Sequence, residues 1–205
     1  MINDQKKCFF VHIPGTAGTT VELAINGVDQ WILNAFTKHC PMSVQYKYSP
    51  WAANHFKFSI VRHPFERIRS LWRFHDRYPF YLNINREIEI DSYYDVNQRI
   101  HIEQVPPKTF EYHFGLSHKY IVQPHHREGT VYFNTIDRPY DKIYKYENLS
   151  ECFDELSERF DIPREKFNQH SHKSEEKPKL SQRSKDILRV IQKEDFEYFG
   201  YDPYL

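Results

Sequence analysis

Residues 9–22 read FFVHIPGTAGTTVE. They belong to an apolar run from Cys8 to Ile13, bounded by charge on one side and Pro14 on the other. A short apolar run with such abrupt flanks reads as a buried strand. From Thr19 to about Asn26 the chain reads as a helix, with Gly27 as its stop. A strand, a glycine-containing turn and a helix in that order form a phosphate cradle. The first N–H groups of a helix lack internal partners, and its dipole is positive at that end. Gly18 would let the backbone approach an anion closely, and Thr16, Thr19 and Thr20 would add hydroxyl donors. An ordinary strand-to-helix turn capped by threonine has the same composition, so the loop alone does not decide. It is not a nucleotide-triphosphatase loop. That pattern, G-x-x-x-x-G-K-[ST], needs a lysine after its second glycine, and Thr19 stands there.

Working outward, Phe56–Val61 (FKFSIV) reads as a second buried strand. Arg62 follows it directly, Pro64 suits the first turn of a helix, and that helix runs from Phe65 to about His75. An arginine at the carboxyl end of a strand faces the crevice where open α/β sheets bind ligands, and its planar fork suits phosphate. Lys142–Tyr146 reads as a third strand, Ser150 as the cap of a helix to about Phe160, and Ser181 to about Lys193 as a final amphipathic helix before an aromatic tail. Short helices and loops are expected from Tyr78 to Tyr120, and a polar loop from Asn168 to Lys179. Strands alternating with helices imply an α/β fold with a mainly parallel, P-loop-like central sheet flanked by helices. At 205 residues the chain fits a single domain spanning 1–205.

Taken together, the two segments resemble the nucleotide loops of sulfotransferases that use 3′-phosphoadenosine 5′-phosphosulfate (PAPS), especially the carbohydrate-directed Golgi-type branch and its bacterial relatives. The family's first loop reads approximately H-[IV]-P-K-T-[AG]-G-T-[ST]; here it is His12-Ile13-Pro14-Gly15-Thr16-Ala17-Gly18-Thr19-Thr20. Its second reads approximately [FV]-x-[FIV]-[VL]-R-[NDHK]-P-x-x-R-x-x-S; here it runs from Phe58 to Ser70. Tyr146-Glu147-Asn148-Leu149 is similar to a recurring Y/F-E-N-L, and Asp195 to Tyr201 to a closing D-F-x-x-F-G-Y. The resemblance implies that Gly15, Thr16, Ala17, Gly18, Thr19 and Thr20 hold the 5′-phosphosulfate of PAPS, and that Arg62 and Ser70 hold the 3′-phosphate. Arg67 and Arg69 read as surface or salt-bridge residues, although Arg67 also stands at a family position. His172-Lys173-Ser174 resembles a late segment near the nucleotide. The implied acceptor is a hydroxyl of a carbohydrate-like molecule, and the family's chemistry needs no metal.

This chain departs from the pattern at one position. The lysine of P-K-T is Gly15. In sulfuryl transfer, charge builds on the leaving nucleotide's bridging oxygen, and catalysis is mostly positioning and electrostatic stabilisation. Losing one such donor costs on the order of 10²–10³ in rate, by analogy with oxyanion holes. Three readings follow: an impaired enzyme, an enzyme that takes its cation from Lys47, Lys57 or His63, or an inactive nucleotide- or glycan-binding protein. A degenerate P-loop kinase is a further alternative. The acceptor hydroxyl also needs a base. His39 is the choice, because the uronosyl 2-O-sulfotransferase branch places a histidine a little over twenty residues before the second-loop arginine, and His39 lies 23 before Arg62. His12 and Glu22 are weaker candidates.

Composition narrows the rest. Lys plus Arg equals Asp plus Glu at 28 each, so no global field attracts nucleic acid, and any anion site is local. The cysteines Cys8, Cys40 and Cys152 are odd in number and widely spaced, which reads as reduced thiols and a cytoplasmic protein. No stretch reaches the roughly 18 apolar residues of a membrane span. The histidine pairs His125-His126 and His170-x-His172 lack the spacing of a zinc site.

Overall fold

The computed structural model describes residues 1–28, 42, 45–46, 49–71, 82–84, 87–89, 140–168, 179–180 and 182–205. Among these residues the strands are β1 (Ile2–Asn3), β2 (Cys8–Val11), β3 (Phe56–Val61), β4 (Leu82–Ile84), β5 (Glu87–Glu89), β6 (Lys142–Lys145) and β7 (Lys179–Leu180). The α-helices are α1 (Gly18–Asn26), α2 (Pro64–Leu71), α3 (Leu149–Phe160), α4 (Gln182–Ile191) and α5 (Lys193–Phe199). The chain packs as two compact units, Met1–Arg62 with Thr135–Lys173, and His63–Asn134 with Ser174–Leu205.

The first unit is built on a four-stranded sheet in the order β1-β2-β3-β6. β2, β3 and β6 are parallel, in registers that include Cys8↔Phe56 and Val61↔Lys145. β1 folds back antiparallel on β2, so the sheet is mixed, with the parallel core that was expected. Both faces are covered, and this is why β2 reads as an unbroken apolar run. Cys8 and Phe10 point to one face, where they join Val21, Ala24 and Ile25 of α1 and Phe153, Leu156 and Phe160 of α3. Phe9 and Val11 point to the other, against Met42, Ala52 and Tyr46.

α1 ends as the sequence predicts. Gly27 has φ 75°, and its N–H bonds the Leu23 carbonyl at 2.9 Å. α3 begins differently. Asn148, not Ser150, occupies the cap position, and Ser150 lies exposed in the first turn. A 3₁₀ turn over Tyr146–Asn148 runs directly into α3, and the Leu149 N–H bonds Tyr146, so the helix starts from backbone already wound.

The second unit holds a small sheet in the order β4-β5-β7. β4 and β5 form an antiparallel pair, Leu82↔Glu89 to Ile84↔Glu87, inside the region expected to hold short helices and loops. The reason is local. Leu82, Ile84 and Ile88 sit at alternate positions among polar residues, the period of a strand. The predicted final helix is α4, and the expected tail after it is a second helix, α5. α5 buries Phe196 and Phe199, carries Glu194 and Asp195 in its first turn where the dipole favours acids, and closes on Gly200 at φ 63°.

Candidate anion cradle and its arginine

The parallel register brings the first unit's motif residues to one edge of the sheet. The carboxyl ends of β2, β3 and β6 lie together, so His12–Ala17, Arg62 and Tyr146 leave the sheet on the same side. The loop between β2 and α1 has two left-handed residues, Gly15 at φ 83° and Ala17 at φ 68°. Ala17 stands at the cap position of α1, where no side chain caps the helix and no acid lies in the first turn. Positive helix-end character therefore faces the loop with no acid of the first turn to offset it.

The loop is braced from within. The Thr16 hydroxyl donates to the Ile13 carbonyl at 2.7 Å and is fully buried. Beneath the helix start, a buried hydrogen bond of 2.8 Å joins His12 Nδ1 to Glu22 Oε1. The His12 ring fills the place where a side chain of Gly18 would stand. Gly18 is thus required for space against His12, a reason separate from the approach of an anion. His12 and Glu22, the weaker candidates for a base, are both buried and bonded to each other.

Arg62 meets this loop. It is 5 % exposed, its Nη1 donates to the Gly15 carbonyl at 3.0 Å, and its guanidinium lies 3.8 Å from the centre of the Tyr146 ring. The structure thus brings the arginine of the second motif to the loop of the first. Thr19 is half-buried and Thr20 buried in the first turn of α1.

The other candidates divide between the two units. Lys57 lies near the amino end of β3, bonded to the Ala53 and His55 carbonyls and 3.2 Å from Asp141. Four residues of strand, at about 3.3 Å each, separate it from Val61, so Lys57 does not replace the missing lysine. In the second unit, His63 Nδ1 accepts from the Phe65 N–H and Nε2 donates to the Asp202 carbonyl. Both ring nitrogens of His63 are thus engaged by backbone groups of its own unit. Ser70 lies half-buried in α2, Arg69 pairs with Glu66, and Arg67 is buried at 1 % rather than on the surface. A cavity of about 450 Å³ in this unit includes none of the predicted cofactor residues in its lining. His39, Lys47, Cys40, His125-His126, His170 and the segment His172-Lys173-Ser174 lie outside the described residues.

Cys8 and Cys152 are unbonded thiols, each pushed up to about 12, chiefly by burial. Among the described residues no group of three His, Cys, Asp or Glu is placed to hold a metal, and no helix is long and apolar enough to cross a membrane.

A mixed central sheet flanked by helices, with an uncapped helix start and an arginine at its carboxyl edge, defines an α/β protein. The family follows from a match to a model described as the Sulfotransferase family over residues 1–202, and the chain belongs to that family. No curated protein and no solved structure matches the chain. Family membership supports sulfuryl transfer as the general class of chemistry, and that class implies a hydroxyl acceptor.

Proposed function

We propose that the chain moves the sulfuryl group of PAPS to a hydroxyl of a carbohydrate acceptor. The observation that carries this reading is the 3.0 Å bond from Arg62 to Gly15, which joins the two motifs assigned to one nucleotide. The donor set fits an anionic ligand: an uncapped helix start with no acid in its first turn, and a guanidinium beside it. The amides of Thr16 to Thr20 with the Thr19 and Thr20 hydroxyls would take the 5′-phosphosulfate. Arg62 and Ser70 would take the 3′-phosphate, for which the planar guanidinium fork is the suited geometry. His39 would accept the acceptor's proton as the acceptor oxygen bonds sulfur and the bond from sulfur to the nucleotide's bridging oxygen breaks. The desulfo nucleotide, 3′-phosphoadenosine 5′-phosphate (PAP), leaves with the charge. The unbonded thiols of Cys8 and Cys152 support a cytoplasmic setting.

One observation favours a second reading, a nucleotide-binding protein without turnover: position 15 carries no ammonium group. Two measurements decide. Calorimetry is expected to give micromolar PAP binding, roughly −8 kcal/mol. Labelled sulfate is expected to pass from PAPS to desulfated polysaccharides. PAP binding without transfer to any polyhydroxyl acceptor would establish the non-catalytic binder. Absence of PAP binding would reject the nucleotide reading, and ATP binding in its place would point to the kinase alternative.

A further inference from the structure

Arg62 reaches the first loop at the residue where the resembled loops carry lysine. Three features fix it there. Val61 and Lys145 are register partners, so Arg62 and Tyr146, the next residue in each segment, leave the sheet side by side and stack at 3.8 Å. The side chain is buried. Its Nη1 holds the Gly15 carbonyl.

The angle at Gly15 belongs to the same arrangement. With φ at 83°, position 15 lies where a residue bearing a Cβ is strained. No peptide among the described residues is cis. In a trans peptide the carbonyl and the following N–H point in opposite directions. Holding the Gly15 carbonyl therefore also sets the direction of the Thr16 N–H, the first amide of the cradle.

We propose that Arg62 is the positioning residue of the first loop, so that it acts on the 5′ side of the nucleotide as well as the 3′ side. This rests on the nucleotide reading above. Gly15 is then a working part of the arrangement, and restoring the family residue harms it.

The experiment compares PAP with adenosine 5′-phosphate, which lacks the 3′-phosphate, by calorimetry and by competition at millimolar ligand. Arg62→Ala is expected to weaken both ligands by about tenfold or more, and Arg62→Lys to keep adenosine 5′-phosphate within about threefold of wild type. Gly15→Lys is expected to weaken adenosine 5′-phosphate as well. An Arg62→Ala protein that loses only PAP affinity overturns the proposal and leaves Arg62 as a 3′-phosphate ligand. A Gly15→Lys protein that binds tighter overturns it too, as does a wild type that binds PAP but shows no affinity for adenosine 5′-phosphate. A wild type that binds neither overturns the nucleotide reading along with it. Should Arg62→Ala fail to fold, Tyr146→Leu decides: it leaves Arg62 in place without its ring, and unchanged adenosine 5′-phosphate affinity there defeats the proposal.

Discussion

Gly18 shows how one residue answers to a neighbour six positions away. A Cβ at position 18 would lie 2.0 Å from His12 Cδ2 and 2.2 Å from Nε2. The ring cannot swing aside without breaking its 2.8 Å bond to Glu22. Overpacking of this kind costs about 1–3 kcal/mol, and the helix preference of alanine returns at most about 1 kcal/mol. Gly18→Ala is expected to lower the urea midpoint accordingly, and His12→Ala in the same chain to restore part of the loss as a coupling between the two sites. A Gly18→Ala protein as stable as wild type would remove the packing argument. The glycine itself was legible in the sequence as part of a strand-to-helix turn. The histidine beneath it was not, because no strand or helix period relates positions 12 and 18. Arg62 stood out in the sequence as a candidate anion ligand, but its bond to Gly15 depends on a strand register that only the assembled sheet sets.

Elements were readable where burial left a continuous mark. β2 and β3 are apolar runs with sharp flanks, and α1 closes on a glycine. α5 was missed because Phe196 and Phe199 sit among other aromatics, which mask the helical spacing of the two that are buried. β1 and β7 have two residues each, too short for any period to show. The junction of β6 and α3 depends on charge that sequence pattern does not reveal. Glu155 accepts from Lys142 and from the Tyr144 hydroxyl, the latter at 2.8 Å, and lies 3.8 Å from Arg159. Burial alone would raise the Glu155 carboxyl, but these hydrogen bonds and cations hold it below its ordinary 4.5. The Tyr144 phenol is raised in turn, first by burial and then by its bond to Glu155. A depressed carboxylate stabilises the fold above its unfolded pKa, and that stability is lost as pH falls through the folded value. Glu155→Gln should therefore be less stable than wild type at pH 7, and the gap should close below pH 4.5 as the wild-type carboxylate takes up its proton. Melting temperatures of the two proteins at both pH values test this, and a gap that is independent of pH would mean the charge contributes nothing.

At the scale of the molecule, a parallel sheet collects at one edge what the chain keeps far apart. Residues 12–17, 62 and 146 share no local segment, yet the registers of β2 with β3 and of β3 with β6 make them neighbours. The family match over residues 1–202 spans both compact units, and the single-domain reading treats them as one cooperative structure. A ligand that binds only the folded state stabilises it by mass action, about 2.7 kcal/mol at a hundred times its Kd. For a chain of this size each kcal/mol moves the midpoint by about 2–4 °C, so saturating PAP should raise it by about 5–10 °C. The single-domain reading requires one calorimetric transition that PAP moves as a whole. Two transitions, of which PAP shifts only one, would divide the chain into independent domains and confine the nucleotide to the one that moved. A single transition that PAP leaves in place would preserve the domain and remove the ligand.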